Sequence, residues 1–329
     1  MPQLLCDVQE LLREYSEELR SVERELLNLF DSSAFLIPAI GNYIVQSGGK
    51  RLRPLFLILS AELCDYKGYS RIVLASIIEA IHTASLLHDD VVDGADLRRG
   101  RPTAHSLWGN QVVVLVGDYL YSNALKMAVS QKNQKIMDAL SYATTKMTEG
   151  ELLQLSKIGD PDISEDEYIR IISAKTGALI SAACRIGAIL SQRDSETEER
   201  LGTFGMKTGI AFQMVDDILD YMAQEDDLGK RLCKDLEEGK VTMPIIYLLK
   251  VCDDKERDFV SSLLADGIKD DKQIRDLNRL FNRYNVIEES MEIATGYVRD
   301  AKAELAGFPL SPVKERLFCL ADYALKRSK

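Results

Sequence analysis

The chain has 329 residues, 46% of them hydrophobic, and a net charge of −11; that is ample material for a core and the wrong sign for a nucleic-acid partner. Six cysteines, at 6, 64, 184, 233, 252 and 319, form no CxxC pair, and there are only three histidines, which argues for reduced core thiols and against zinc. The absence of an unbroken apolar run of about 18 residues, and of a basic start followed by an apolar stretch, predicts no membrane anchor, no signal peptide and a cytoplasmic location.

Residues 3–30 carry Leu4, Leu5, Val8, Leu11 and Leu12, then Leu26, Leu27 and Leu29, among many charges, which reads as one amphipathic helix. Two further helices are expected over 34–46 and 53–65, split by Ser47-Gly48-Gly49. Helical spacing of Ile72, Val73, Ile77, Ala80, Ile81, Ala84 and Leu87 predicts a long helix over 70–93, followed by a polar, basic loop at Gly94–Pro102. Helices follow at Gln111–Val129 and Gln134–Ile158, stopped by Asp160-Pro161-Asp162. Ser164 with Glu167 forms one capping box, opening a helix to about Leu190; Ser195 with Glu198 suggests a second, opening a helix to Met222. Gln224–Lys240 is a charged loop, Pro244 restarts a helix, and the C-terminal stretch predicts two or three more. Period-two alternation is absent, and no linker rich in Pro, Gly and Ser divides the chain. The expected fold is therefore all-α: a single domain, 1–329, forming a bundle of roughly ten or more helices.

Three groups of residues carry chemistry. Asp89, Asp90 and Asp93 end an apolar helix; Asp89 and Asp93, at i and i+4, share a face at the helix C-terminus, the unfavourable end for negative charge. A polar helix end would be the bland explanation; a hard-cation site explains the placement better. Gln213, Asp216, Asp217 and Asp220 form a second stripe, 127 residues after the first. One such stripe is weak evidence, but two on mostly apolar helices point to a pocket for several Mg²⁺ ions and a diphosphate. An acidic chain that binds a polyanion also needs local cations. Gly48-Gly49-Lys50-Arg51-Leu52-Arg53-Pro54 and Arg98-Arg99-Gly100-Arg101 supply them, with Lys175, Thr176, Lys230 and Lys240 as further candidates. His82 lies on the Asp89 face two turns deeper, where a structural histidine would be equally ordinary.

GGKRLRP (48–54), HTASLLHDDVVDGADLRRG (82–100), FQMVDDILD (212–220) and GKRLCKDLEEGKVTMP (229–244) together resemble the trans-isoprenyl diphosphate synthases in order and spacing. The likeness covers about 20–325 and is nearest to the octaprenyl and other long-chain polyprenyl members. It implies a helical bundle around a central cavity, a homodimer and about three Mg²⁺ ions per active site. By the same resemblance Asp89, Asp93 and Asp216 bind metal, with Asp90, Asp217 and Asp220 completing the motifs. Lys50, Arg53, His82 and Arg99 would hold isopentenyl diphosphate; Arg98, Lys175, Thr176, Gln213, Lys230 and Lys240 would hold the allylic diphosphate. Cys233 departs from the family's GKxxGxD pattern, where Gly is usual.

The resemblance further implies ionisation of the allylic diphosphate, attack by the isopentenyl double bond, and loss of a proton to the departing diphosphate. Product length should follow from Ala84 and Ser85, the small residues five and four places before Asp89. They predict a product longer than farnesyl, with Met127 and Leu140 as candidate floor residues and Ile78 two turns below Ser85. A geranylgeranyl-length synthase and a non-catalytic subunit of a heteromeric synthase are the alternatives. A class I terpene cyclase or head-to-head enzyme would not need the GGKRLRP site.

Overall fold

The computed structural model describes residues 7–98, 100–222 and 234–326. Among these the chain is 78% helical with no sheet beyond one short hairpin, so the all-α expectation holds. The helices in chain order are α1 (Val8–Glu14), α2 (Ser16–Asn28), α3 (Leu36–Gln46), α4 (Leu52–Leu63), α5 (Ser70–Val92), α6 (Ala104–Trp108), α7 (Asn110–Ser130), α8 (Gln134–Ser156), α9 (Glu165–Ile172), α10 (Ala178–Leu190), α11 (Ser195–Tyr221), α12 (Lys234–Glu237), α13 (Met243–Val251), α14 (Asp254–Asp266), α15 (Asp271–Arg283), α16 (Val286–Glu304) and α17 (Pro312–Leu325). A π-helical turn, Ser173–Gly177, joins α9 to α10, and a two-stranded hairpin, β1 (Leu97–Arg98) with β2 (Arg101–Pro102), follows α5.

Two compact units partition the chain. One gathers the described part of Met1–Thr144 with Ala182–Gly202 and Pro309–Leu320; the other gathers Thr145–Ser181, Thr203–Phe308 and the described part of Ala321–Lys329. In the first unit α5 is the axis, packing against α7, α4 and α2. It buries Ile72, Leu74, Ile77, Ile78, Ile81, Ala84 and Leu87, more than one face of the helix. In the second, Tyr168, Ile171, Met214, Ile218, Tyr221, Leu248, Val260 and Phe281 belong to one buried cluster.

Local chemistry explains where the elements begin and end, and where they depart from the sequence pattern. The stretch 3–30, expected as one helix, holds two: α1 and α2 are separate, because Tyr15 caps α1 and its hydroxyl turns to Glu62. The Ser164–Glu167 capping box is present with both bonds. The second is not: Asp194 Oδ1 takes the Thr197 N–H at 2.8 Å, one position earlier than expected, and Glu198 pairs with Lys135 instead. The expected continuous helix from Ser164 to Leu190 is interrupted by the π-turn. The basic loop after α5 is the hairpin, turning at Gly100 with φ +73°. The last stretch holds four helices, α14 to α17, rather than two or three. Three helical stretches, Ser70–Val92, Asn110–Ser130 and Glu165–Leu190, reach the length and mean hydropathy of a membrane span, contrary to expectation. In the first and third, two thirds of that window is buried in the protein, since these helices are apolar on several faces. Cys64 and Cys184 are buried free thiols, whereas Cys319 is disulfide-bonded, which departs from the all-thiol expectation.

Candidate active site

In the first unit the basic loop is shaped from behind by Arg51. This residue caps α4 in a left-handed conformation, φ +49°, and is 8% exposed. Its guanidinium pairs with Glu79 of α5 at 2.7 Å and Glu23 of α2 at 3.0 Å. The loop ending before Arg51 is thereby pinned, while neighbouring Lys50 stays exposed. Two residues on, Arg53 Nη1 lies 3.0 Å from His82 Nε2. A guanidinium offers only hydrogens, so His82 accepts through Nε2 and carries its ring proton on Nδ1. Arg53 and His82 are thus brought together. A pocket lined by Tyr43, Ser47, Gly48, Arg51, His82 and Arg98 opens beside them.

The first aspartate motif divides by burial. Asp93 is exposed and Asp89 half-buried, whereas Asp90 is buried and accepts from Arg98 at 2.7 and 2.8 Å. Arg98 sits on β1, and Tyr43 donates to Pro102 O on β2, so both strands are tied down. Ser85 is half-buried and its hydroxyl donates to His82 O; Ala84 is 2% exposed. Leu140, on α8, is fully buried, and Met127, on α7, is half-buried.

The second unit repeats that division. Asp216 is exposed, Asp220 Oδ2 accepts the Asp235 N–H at 2.9 Å, and Asp217 is buried. Tyr168 of α9 donates to Asp217 Oδ2 at 2.7 Å, and Gln213 Nε2 donates to Oδ1 at 2.8 Å. Gln213 Oε1 in turn accepts the Thr176 hydroxyl at 2.7 Å. Thr176 reaches α11 because two glycines meet there: a Cβ on Gly209 would lie 2.7 Å from Gly177 Cα. On the other side Gly150 lets α8 approach the π-turn, since a Cβ there would meet Ala174 at 2.7 Å. Lys175 then pairs with Glu151 at 2.5 Å and with Gln154. π-Turns of this kind recur at functional sites.

Negative charge is crowded here. Burial first, then the Asp235 charge, pushes the Asp217 carboxyl well above its usual range; burial and Asp220 do the same to Asp235. Glu238 is the exception: burial opposes its charge, but Lys240, at 2.7 Å, and Lys234 outweigh it. Among the described residues no three His, Cys, Asp or Glu side chains converge as a ready-made metal site. The donor sets are all oxygen, one or two carboxylates each, which is what Mg²⁺ takes when phosphates and water complete its shell. Arg99, Lys230 and Cys233 lie outside the described residues. Tyr168, Glu151 and Gln154 were not singled out in the sequence, and Arg51, grouped there with the cations for a polyanion, is instead paired inward; the lone Glu79 in an otherwise apolar stretch of α5 was the signal that could have exposed this.

The sequence pattern of the polyprenyl synthetase family matches residues 36–281. The chain belongs to that family. Octaprenyl diphosphate synthase of Escherichia coli is 36% identical over 314 residues, 95% of this chain and 97% of that protein. A decaprenyl diphosphate synthase from Rhodobacter capsulatus superposes with a TM-score of 0.93 at 36% identity, covering 98% and 100% of the two chains. A polyprenyl synthase from Caulobacter crescentus, solved with calcium and isoprenyl diphosphate, gives 0.91 at 36% identity and 99% coverage of both. As a polyprenyl synthetase this chain is a prenyltransferase, a trans-prenyl diphosphate synthase.

Proposed function

We propose that this synthase is Mg²⁺-dependent, makes a long-chain, octaprenyl-like product, and works as a homodimer. The observation that carries the metal requirement is the pair of aspartate stripes, in which Asp90 and Asp217 are buried on protein donors while Asp89, Asp93 and Asp216 are half-buried or exposed, oxygen donors of the kind Mg²⁺ takes. Asp89, Asp93 and Asp216 would hold the ions. Bound Mg²⁺ would neutralise charge on the departing diphosphate.

The chain's own residues divide the remaining work. Lys50, Arg53 and His82 of the first unit bind isopentenyl diphosphate, Arg53 and His82 as one hydrogen-bonded pair; Arg99 joins them by position in the motif. Arg98, Lys175, Thr176, Gln213, Lys230 and Lys240 bind the allylic diphosphate. The C1–oxygen bond of the allylic diphosphate breaks first, the isopentenyl double bond attacks C1 of the resulting allylic cation, and the proton released leaves with the diphosphate. Small Ala84 and Ser85 below Asp89 support a product beyond farnesyl length, as do the long-chain names of its relatives. Exposed Leu107, Val114, Leu115 and Val129, on and beside α7, support a self-association surface.

Purified protein incubated with Mg²⁺, labelled isopentenyl diphosphate and farnesyl diphosphate tests this reading, with the dephosphorylated products sized by chromatography. A ladder ending near octaprenyl supports the whole proposal. A stop at geranylgeranyl length overturns the long-chain assignment, and no elongation from any allylic primer overturns independent catalysis.

A further inference from the structure

The second aspartate motif contains a carboxylate that already has its partners. Asp217 is 6% exposed, and both of its oxygens accept hydrogen bonds from protein donors, Tyr168 Oη at 2.7 Å and Gln213 Nε2 at 2.8 Å. Tyr168 is itself 3% exposed and stands on α9, outside every motif in the sequence. The bonds run in one direction. Tyr168 donates to Asp217, Gln213 donates to Asp217, and the Gln213 carbonyl is thereby turned to accept the Thr176 hydroxyl at 2.7 Å. A side-chain amide is nearly symmetric in shape, so what fixes which end of Gln213 faces Thr176 is the acceptor on its other side. Two donors converging on one carboxylate also hold that carboxylate's rotamer.

We propose that Tyr168 is a positioning residue for the allylic-diphosphate subsite, holding Asp217 as an internal anchor that orients Gln213 and, through it, Thr176. The inference rests on the synthase reading above, because it deepens the role of Gln213 and Thr176 in that reading. Two aspartates of the motif then differ in function: exposed Asp216 serves the metal, while Asp217 works inward. Removing the Tyr168 hydroxyl leaves one Asp217 oxygen without its donor and frees the chain beyond it to turn. The damage should then fall on one substrate and leave the other untouched.

The test is a double-mutant cycle on the intact enzyme: wild type, Tyr168→Phe, Asp217→Asn and the pair, each assayed for KM and kcat with farnesyl and isopentenyl diphosphates and for the Mg²⁺ concentration giving half-maximal rate. In Tyr168→Phe, kcat/KM for farnesyl diphosphate should drop about tenfold, while KM for isopentenyl diphosphate and the Mg²⁺ requirement stay within about twofold. The double variant should be no worse than Asp217→Asn alone, since both act on one chain of bonds. Wild-type kinetics in Tyr168→Phe, equal damage to both substrates, a shifted Mg²⁺ requirement or full additivity would each overturn the proposal. Should Tyr168→Phe fail to fold, Thr176→Val takes its place in the cycle with the same expectation, and full additivity with Asp217→Asn overturns the proposal. A wild-type protein that elongates no primer defeats the synthase reading itself, and is seen before any variant is compared.

Discussion

Arg51 shows how one buried side chain can shape a binding loop through its ion pairs. Its guanidinium is buried between Glu79 and Glu23, and the backbone accepts a left-handed conformation to put it there. Removing one partner from a buried pair leaves an uncompensated charge, which typically costs about 3–5 kcal/mol. Glu79→Ala should therefore lower stability by about that amount, read from urea unfolding. Glu23→Ala, whose side chain is 37% exposed, should cost less than 1 kcal/mol, roughly the scale of a surface pair. Equal effects would mean that Arg51 is held by something other than Glu79. None of this could be read from the basic loop itself, because Lys50, Arg51 and Arg53 look alike as charges. The distinction is one of burial, set by α2 and α5, and only the isolated Glu79 betrays it in the sequence.

At the scale of elements, α5 holds the first aspartates at one end and the chain-length candidates a turn below. Ser85 and Ala84 are adjacent in sequence but differ in surroundings: Ser85 is half-buried and Ala84 is 2% exposed. Ser85→Phe should shorten the product, seen by chromatography of the dephosphorylated chains. Ala84→Phe should act first as overpacking, costing about 1–3 kcal/mol of stability, measurable as a fall in Tm. Unchanged chain length in the double variant would remove α5 from the determination of product length. The helix was legible because its apolar spacing is strong and its ends are marked. The π-turn after α9 was not, because its cause lies elsewhere: Gly209 on α11 and Gly150 on α8 allow the close approaches that accompany it. The failed cap at Ser195 has a local reason, since Asp194 stands one residue earlier and is an equally good acceptor.

For the molecule as a whole, the buried acids tie stability to pH. The folded protein binds protons at Asp217 and Asp235 more tightly than the unfolded chain does, because burial and neighbouring carboxylates penalise their charge. Their contribution to stability is complete below about pH 4 and is lost as pH rises toward and beyond neutrality. In EDTA, Tm should fall between about pH 5.5 and 8, and Asp217→Asn should flatten that slope. A slope unchanged in the variant would exclude Asp217 as its source. The aspartate stripes were visible in the sequence as a spacing, and the family followed from four motifs in order. What spacing could not reveal is that the middle aspartate of each stripe is turned inward, Asp90 onto Arg98 and Asp217 onto Tyr168 and Gln213.

Several cations assigned to the allylic diphosphate already have a carboxylate: Lys175 has Glu151, Lys240 has Glu238 and Arg98 has Asp90. An anion that arrives alone must displace a group of similar strength, and gains little by the exchange. A diphosphate escorted by divalent ions offers more, since the released carboxylates find new positive charge nearby. On the proposed assignments chloride, sulfate and single phosphates should therefore compete poorly with a metal-escorted diphosphate. An acidic protein of net charge −11 can in this way be hospitable to a polyanion without being sticky to anions in general.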